Sequence, residues 1–334
     1  MISRLEIRNF KSIRHLALDC RRVNVFIGEP NTGKSNILES LGVFSALLTG
    51  NIQDFVRMEE MTDLFHKGNL NEEVAIRAGP YSFFCQFDEY TGMTWGRLEV
   101  FSEIIPASSE PLLSLRFTKP QLEMREPYQV RIRFYRFSPL TRFQRSPIPF
   151  LLPPDGKNLP YLLRINKELR QLLGEIFASY GLQLEVEYRG DWLKIQYEKG
   201  EGITFPLPYP SASETLQRIA FYLAAIKTNR DAVLIFEEPE AHAFPLYTKY
   251  LTERIALDRS NQYFLTTHDP FSLISLVEKT PAEEIAVFVV YVQDGQIQAR
   301  LLTDEALEVV LDLDADVFFN LDVFLDSLDI PSGA

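Results

Sequence analysis

Apolar positions along this chain follow two periods. Leu5 and Ile7 stand two apart in the opening strand, residues 3 to 8, the spacing of a half-buried strand. The run VNVFI at 23–27 is apolar throughout, as in a strand buried on both faces. Ile37, Leu38, Leu41 and Phe44 follow at helical spacing, predicting a helix from Lys34 to about Leu48. Segments within 73–103 and 112–137 are rich in β-branched and aromatic residues and predict strands. A proline-rich loop spans Ser146 to Pro160. One amphipathic helix is predicted over 159–181, stopped by Gly181. LQLEVEY and WLKIQYE predict a hairpin turning at Arg189–Asp191. A helix over Ser211 to Thr228 precedes strand 232–236, helix 245–257 and strand 262–267. A strand pair about Asp294-Gly295 and an acidic helical segment complete the pattern.

Strands and helices alternate at both ends and the middle is β-rich. This order predicts an α/β fold with a mixed sheet core and a β-rich inserted region. The expected division is a head over 1–303, its core from 1–50 and 205–303 and its insertion from 51–204, with an acidic helical tail over 304–334. No heptad run is long enough for a coiled coil.

Composition narrows the class. Of the 334 residues, 46% are hydrophobic, enough for a large core. Two cysteines, Cys20 and Cys85, do not make a disulfide scaffold and fit a reducing, cytoplasmic setting. The opening residues lack an apolar signal core, and no apolar run reaches the roughly 20 residues of a membrane span. The net charge of −12 disfavours non-specific polyanion binding. The charge is uneven. From Asp304 onward there are nine acids and no base, whereas Pro111–Ser146 carries eight bases against Glu123 and Glu126.

The sharpest chemistry lies in GEPNTGKS, residues 28–35, which matches G-x-x-x-x-G-K-[ST]. Gly28 and Gly33 let backbone N–H groups of Asn31, Thr32 and Asn36 approach phosphates closely. Lys34 reaches the β- and γ-phosphates and Ser35 offers its hydroxyl to Mg²⁺. A strand before and a helix after supply the context that pattern requires. A second element, VLIFEEPEAHAF at 233–244, ends a strand in adjacent carboxylates, Glu237 and Glu238. Successive strand residues face opposite sides, so one acid can serve a metal while the other faces a γ-phosphate. Ser211 and Glu214 read as a capping box for the helix that buries Ile219, Tyr222, Leu223 and Ile226.

Together LEIRNFKSI, IGEPNTGKSNILESL, IFEEPEAHAFP and FLTTHDP resemble, in order and spacing, the ABC-type ATPase heads of the RecF/OLD/SMC-like group, a class of P-loop NTPases. The resemblance covers most of residues 1–275. It implies an ATPase with ATP and Mg²⁺ as cofactors. Glu237, where such heads carry Asp, supports the metal, and Glu238 acts as general base or orients the water. His268 senses the γ-phosphate. The stretch S-A-S-E, Ser211 to Glu214, stands at the signature helix, where the usual glycine is missing. There Ser213 contacts the ATP of a second copy, which implies a head-to-tail homodimer with ATP in the interface. Lys11 lies where related heads place a basic residue, while Gln53, Gln86 and Gln129 all remain open for the glutamine loop. No N-K-x-D motif is present, which favours ATP over GTP.

Related heads act on DNA ends in repair or in defence against phage. VRIRFYRF and the residues after it, 130–145, interleave arginines with aromatics, as a nucleic-acid surface would; a half-buried strand with a solvated charged face explains the same pattern. SMC-type coiled-coil arms and the OLD nuclease domain are not expected, so any effector is expected on a separate chain. The alternative function is a nucleotide-gated scaffold with negligible hydrolysis.

Overall fold

The computed structural model describes residues 1–101, 111–122, 130–187, 192–198, 204–321 and 323–326. The central sheet has the order β15-β14-β3-β13-β12-β8. Its strands are β3 (Val23–Ile27), β8 (Ile132–Tyr135), β12 (Val233–Glu237), β13 (Gln262–Thr266), β14 (Ile285–Gln293) and β15 (Gln296–Leu301). Neighbours from β14 to β8 run parallel, and β15 turns back antiparallel on β14. All five residues of β3 are buried, because helices cover one face and a second sheet covers the other. Asp294 and Gly295, both at positive φ, form the two-residue turn that matches strand twist.

The second sheet is antiparallel, in the order β2-β1-β4-β5-β6-β7. It comprises β1 (Arg4–Phe10), β2 (Ile13–Asp19), β4 (Val74–Ala78), β5 (Tyr81–Asp88), β6 (Met93–Val100) and β7 (Leu113–Phe117). It encloses α1 (Lys34–Thr49) against the central sheet, and a shared core joins Leu5 and Ile7 to Ile37, Leu41 and Phe264. The predicted insertion, 51–204, is thus divided in space. Its strands β4 to β7 extend the sheet begun by β1, and β8 pairs in register with β12, Tyr135 opposite Phe236.

On the other face lie α2 (Leu159–Ile165), α3 (Lys167–Ala178), α4 (Glu214–Thr228), α5 (Pro245–Leu257) and α6 (Pro270–Lys279). A three-stranded sheet of β9 (Leu182–Val186), β10 (Leu193–Glu198) and β11 (Thr204–Pro208) adjoins them. The single helix expected over 159–181 is broken at Asn166. Its backbone is extended there and its side chain accepts from Leu169 N–H, capping α3, so the local cap outweighs continuity. β9 and β10 pair antiparallel as the hairpin pattern predicts; its turn lies outside the described residues.

The acidic end forms α7 (Asp304–Leu313), a 3-10 helix over Asp314–Phe319, and α8 (Val323–Asp326). Leu307, Val310, Val317 and Phe324 join the main core, so this segment packs on the head through its apolar face.

Candidate functional site

The phosphate loop bridges β3 and α1 at the carboxyl end of the parallel strands, where open α/β sheets bind ligands. Two backbone positions demand glycine. A Cβ on Gly28, at φ 146, would stand 2.2 Å from the Val290 carbonyl oxygen; one on Gly33, at φ 94, would stand 2.1 Å from Ile297 Cδ1. The Lys34 ammonium turns back into the loop, donating to the carbonyls of Gly28 (2.9 Å) and Glu29 (2.6 Å). Thr32 Oγ1 donates to Glu29 O at 2.9 Å and so closes the loop. Burial pulls the Lys34 pKa down to about 8, with Glu238 and Glu29 opposing. Asn36 donates to Ser12 Oγ, tying α1 to the β1–β2 turn.

A cleft of about 380 Å³ opens over this loop. Asn31, Gly33, Lys34, Ser35, Asn36, Glu238 and His268 line it, joined by Ser12 and Arg57. Three expected elements, from chain positions far apart, therefore meet at one place. The adjacent cleft, about 400 Å³, is lined by Ser35, Glu237 and Glu238 with Arg57, Arg136 and Arg218.

The two adjacent acids have different partners. Glu237 closes β12 and faces Arg136, which donates from Nε at 2.9 Å, with Arg57 3.7 Å away. Glu238 leaves the strand at φ 43, a conformation that costs a non-glycine residue about 1–3 kcal/mol. Its N–H donates to Thr266 Oγ1 at 3.1 Å, and its carboxylate lies 3.4 Å from His268 Nε2. Burial and the Lys34 ammonium lower the His268 pKa, against the pull of Glu238.

Several side chains of this region escaped the sequence reading. Arg57 stands in an irregular segment with no motif to mark it, yet it borders both clefts. Glu39, fully buried in α1, binds Lys11 at 2.6 Å and Arg57 at 2.5 Å, with Arg136 at 3.7 Å. Lys11 thus meets the site through Glu39. Arg136 follows Tyr135 in β8 and lands beside Glu237 because β8 and β12 are parallel neighbours. Glu240 is buried; its Oε1 accepts from Thr267 Oγ1 (2.7 Å) and His268 N (3.0 Å), while Oε2 has no partner among the described residues. Burial pushes its pKa up to about 7.

Other expectations need adjustment. The cap of α4 is Ser213, whose side chain accepts from Leu216 N–H. Ser211 ends a separate 3-10 turn, Tyr209–Ser211, and Glu214 is the first helical residue, paired with Arg218 at 2.9 Å. Ala212 and Ser213, with ψ of 152 and 148, separate that turn from α4, so the helix starts only at Glu214. Ser211, Ser213 and Glu214 line neither cleft of their own chain. Arg133 bonds Asn229 and lies 3.5 Å over the Phe150 ring, and Arg136 is held by Glu237, so two arginines of the 130–145 stretch serve the interior. Arg142 and Arg145 are exposed. Gln53 donates to Met58 and Glu59 carbonyls and Gln86 to Glu73, away from both clefts; Gln129 lies outside the described residues.

The donor set fits a magnesium nucleotide. An ammonium already bonded to loop carbonyls, the Ser35 hydroxyl and Glu238 line one polar cleft, and Ser35 and Glu238 also line the adjacent one, which Glu237 borders. Among the described residues no helix is long and apolar enough to cross a membrane.

Comparison with known proteins bears on the family and the fold. Residues 1–82 match a family model described as "AAA ATPase domain", and residues 101–274 match one described as "AAA domain, putative AbiEii toxin, Type IV TA system". A curated relative, "Septu protein PtuA" of Bacillus mycoides (strain KBAB4), is 26% identical over 305 residues, covering 83% of this chain. This chain spans 39% of that relative's length. In fold the chain is similar to the SmcHead bound to the C-winged helix domain of ScpA, with TM-score 0.53, 17% identity, and 92% and 99% of the two chains covered. It is also similar to the Smc head domain with an extended coiled coil, bound to the C-terminal domain of ScpA, derived from Pyrococcus furiosus. There the TM-score is 0.51 at 14% identity, with 93% and 98% covered. With its phosphate loop, its parallel sheet and a family match over more than half its length, the chain belongs to the "AAA domain, putative AbiEii toxin, Type IV TA system" family and has an ABC/SMC-like P-loop ATPase fold.

Proposed function

We propose that this chain is an ATP-driven switch: it binds ATP with Mg²⁺, pairs head to tail with a second copy around it, and hydrolyses it. The observation that carries this reading is the convergence of Lys34, Ser35, Glu238 and His268 on one cleft. Lys34 would leave its carbonyl partners for the β- and γ-phosphates. Its present bonds to Gly28 and Glu29 hold the ammonium near the place where phosphate oxygens would take over. Ser35 and the Glu237 charge would hold the metal, which supplies charge neutralisation on the phosphates when bound.

Glu238 is the proposed base. It is separate from the arginine-held Glu237 and sits beside His268, whose ring stabilises charge on the γ-phosphate. Arg57, between the two clefts, is a second cation available to that charge. Ser213, at the N-terminus of α4 and outside its own clefts, suits a contact with the partner copy's nucleotide. Similarity to the Septu protein PtuA favours anti-phage defence over DNA repair, with a separate effector chain. Of the 130–145 stretch, the exposed Arg145 is left to serve a DNA contact.

The contact between Glu237 and two arginines favours one other reading, a scaffold that ATP only locks. Glu238→Gln separates them. For the ATPase, turnover measured by phosphate release falls at least a hundredfold and an ATP-bound dimer accumulates in light scattering. For the scaffold, neither changes. Lys34→Ala serves as the control that abolishes nucleotide uptake.

A further inference from the structure

A groove of about 840 Å³ lies away from the nucleotide clefts. Phe143, Trp192, Pro208 and Pro210 give it apolar walls, and Arg142 and Lys194 stand among them. No acidic residue lines it among the described residues, and neither cation is ion-paired with a described residue. Trp192 is 60% exposed. The wall is tied to the signature helix: Phe143 packs on Tyr209 with ring centroids 5.8 Å apart, and Tyr209 opens the 3-10 turn that ends at Ser211. Pro210 is three residues from Ser213, within about 10 Å along the chain.

A complementary knob exists on the same chain. Phe319, 85% exposed, ends the 3-10 helix Asp314–Phe319. Asp312, Asp314 and Asp316 are exposed just before it. Buried Val317 anchors this turn. Phe318 lies beside the switch histidine, with ring centroids 6.3 Å apart.

We propose that, in the nucleotide-bound dimer, Phe319 of one copy seats in this groove on the other copy, with its aspartates against Arg142 and Lys194. The inference rests on the head-to-tail reading. That arrangement brings Ser213 of one copy toward the phosphate faced by His268 of the other. The groove, whose Pro210 lies three residues before Ser213, and the knob, next in the chain to the Phe318 that packs by His268, then stand on facing sides of one seam. Two-fold symmetry repeats the contact, so each copy supplies one knob and one groove. An aromatic knob in an apolar slot with opposite charge at its rim is the pattern of an interface anchor. Carboxylates near a groove that carries only positive charge also draw the copies into register. The consequence is a direct report of nucleotide state: the dimer contact reaches α4 through Tyr209 and His268 through Phe318.

The test uses the full chain carrying Glu238→Gln, with saturating ATP and Mg²⁺, and reads the dimer dissociation constant by sedimentation. Adding Phe319→Ala, or Arg142→Glu with Lys194→Glu, weakens the dimer at least tenfold. Binding of a fluorescent ATP analogue to the monomer stays unchanged. Adding Asp312→Lys and Asp316→Lys to the groove double variant restores dimerisation, an outcome that misfolding would not produce. Dimer affinity unaffected by all these variants, or no recovery in the charge swap, overturns the docking while leaving the head-to-tail reading intact. A parent that binds the analogue yet stays monomeric overturns both.

Discussion

Glu240 shows how single side chains in this site carry more than one constraint. Its carboxylate is buried, faces Asp269, Tyr222 and the His268 backbone, and is raised to about 7, chiefly by burial. A folded-state pKa above the ordinary value means that the folded chain holds the proton more tightly. The stabilisation is therefore fully present below about pH 4.5 and is lost as pH rises through 7. Wild-type stability from this group falls by up to about 3 kcal/mol between pH 5 and pH 8. Glu240→Gln keeps an acceptor for Thr267 and His268 and removes that slope. Urea unfolding at the two pH values checks it: curves for the variant should differ less than those for the wild type. At this scale the sequence was legible where residue type dictates chemistry. Lys34, Ser35, Glu238 and His268 announce themselves through motif and position. Arg57, Glu39 and Glu240 did not, because a charged residue in a turn or on a helix reads as solvated until its neighbours are known.

At the scale of elements, α1 is squeezed between sheets. Gly42 sits where a Cβ would meet Phe134 Cδ1 at 2.6 Å and Phe55 Cβ at 3.1 Å. Alanine in a helix interior ordinarily gains up to about 1 kcal/mol over glycine. Here the Phe134 ring is fully enclosed in β8, so overpacking of about 1–3 kcal/mol outweighs the gain. Gly42→Ala should lower the thermal midpoint by scanning calorimetry, the reverse of the isolated-helix expectation. Element periodicities were mostly visible, since burial imposes period two on strands and 3.6 on helices. The misread places share one cause. Asn166 and Ser213 hydrogen-bond local backbone, so helix ends are settled by caps that periodicity does not register.

For the whole molecule, ligand linkage sets the expectation. If ATP binds the folded chain alone, nucleotide at a hundred times its dissociation constant stabilises it by about 2.7 kcal/mol. The midpoint should rise by a few degrees with ATP and Mg²⁺, and should not move for Lys34→Ala. An equal shift in that variant would place the nucleotide elsewhere.

The chain order of strand, glycine loop, helix and paired acids is written in residue type and spacing, so the class of fold was legible in the sequence alone. Which strands lie side by side was not. Only the fold put β8 next to β12, and with it Arg136 on Glu237; only the fold stood Phe318 beside His268 and opened a groove that holds Arg142 and Lys194. Local patterns encode how each segment meets water. Pairings between segments a hundred residues apart depend on which surfaces pack together, and no local period records that choice.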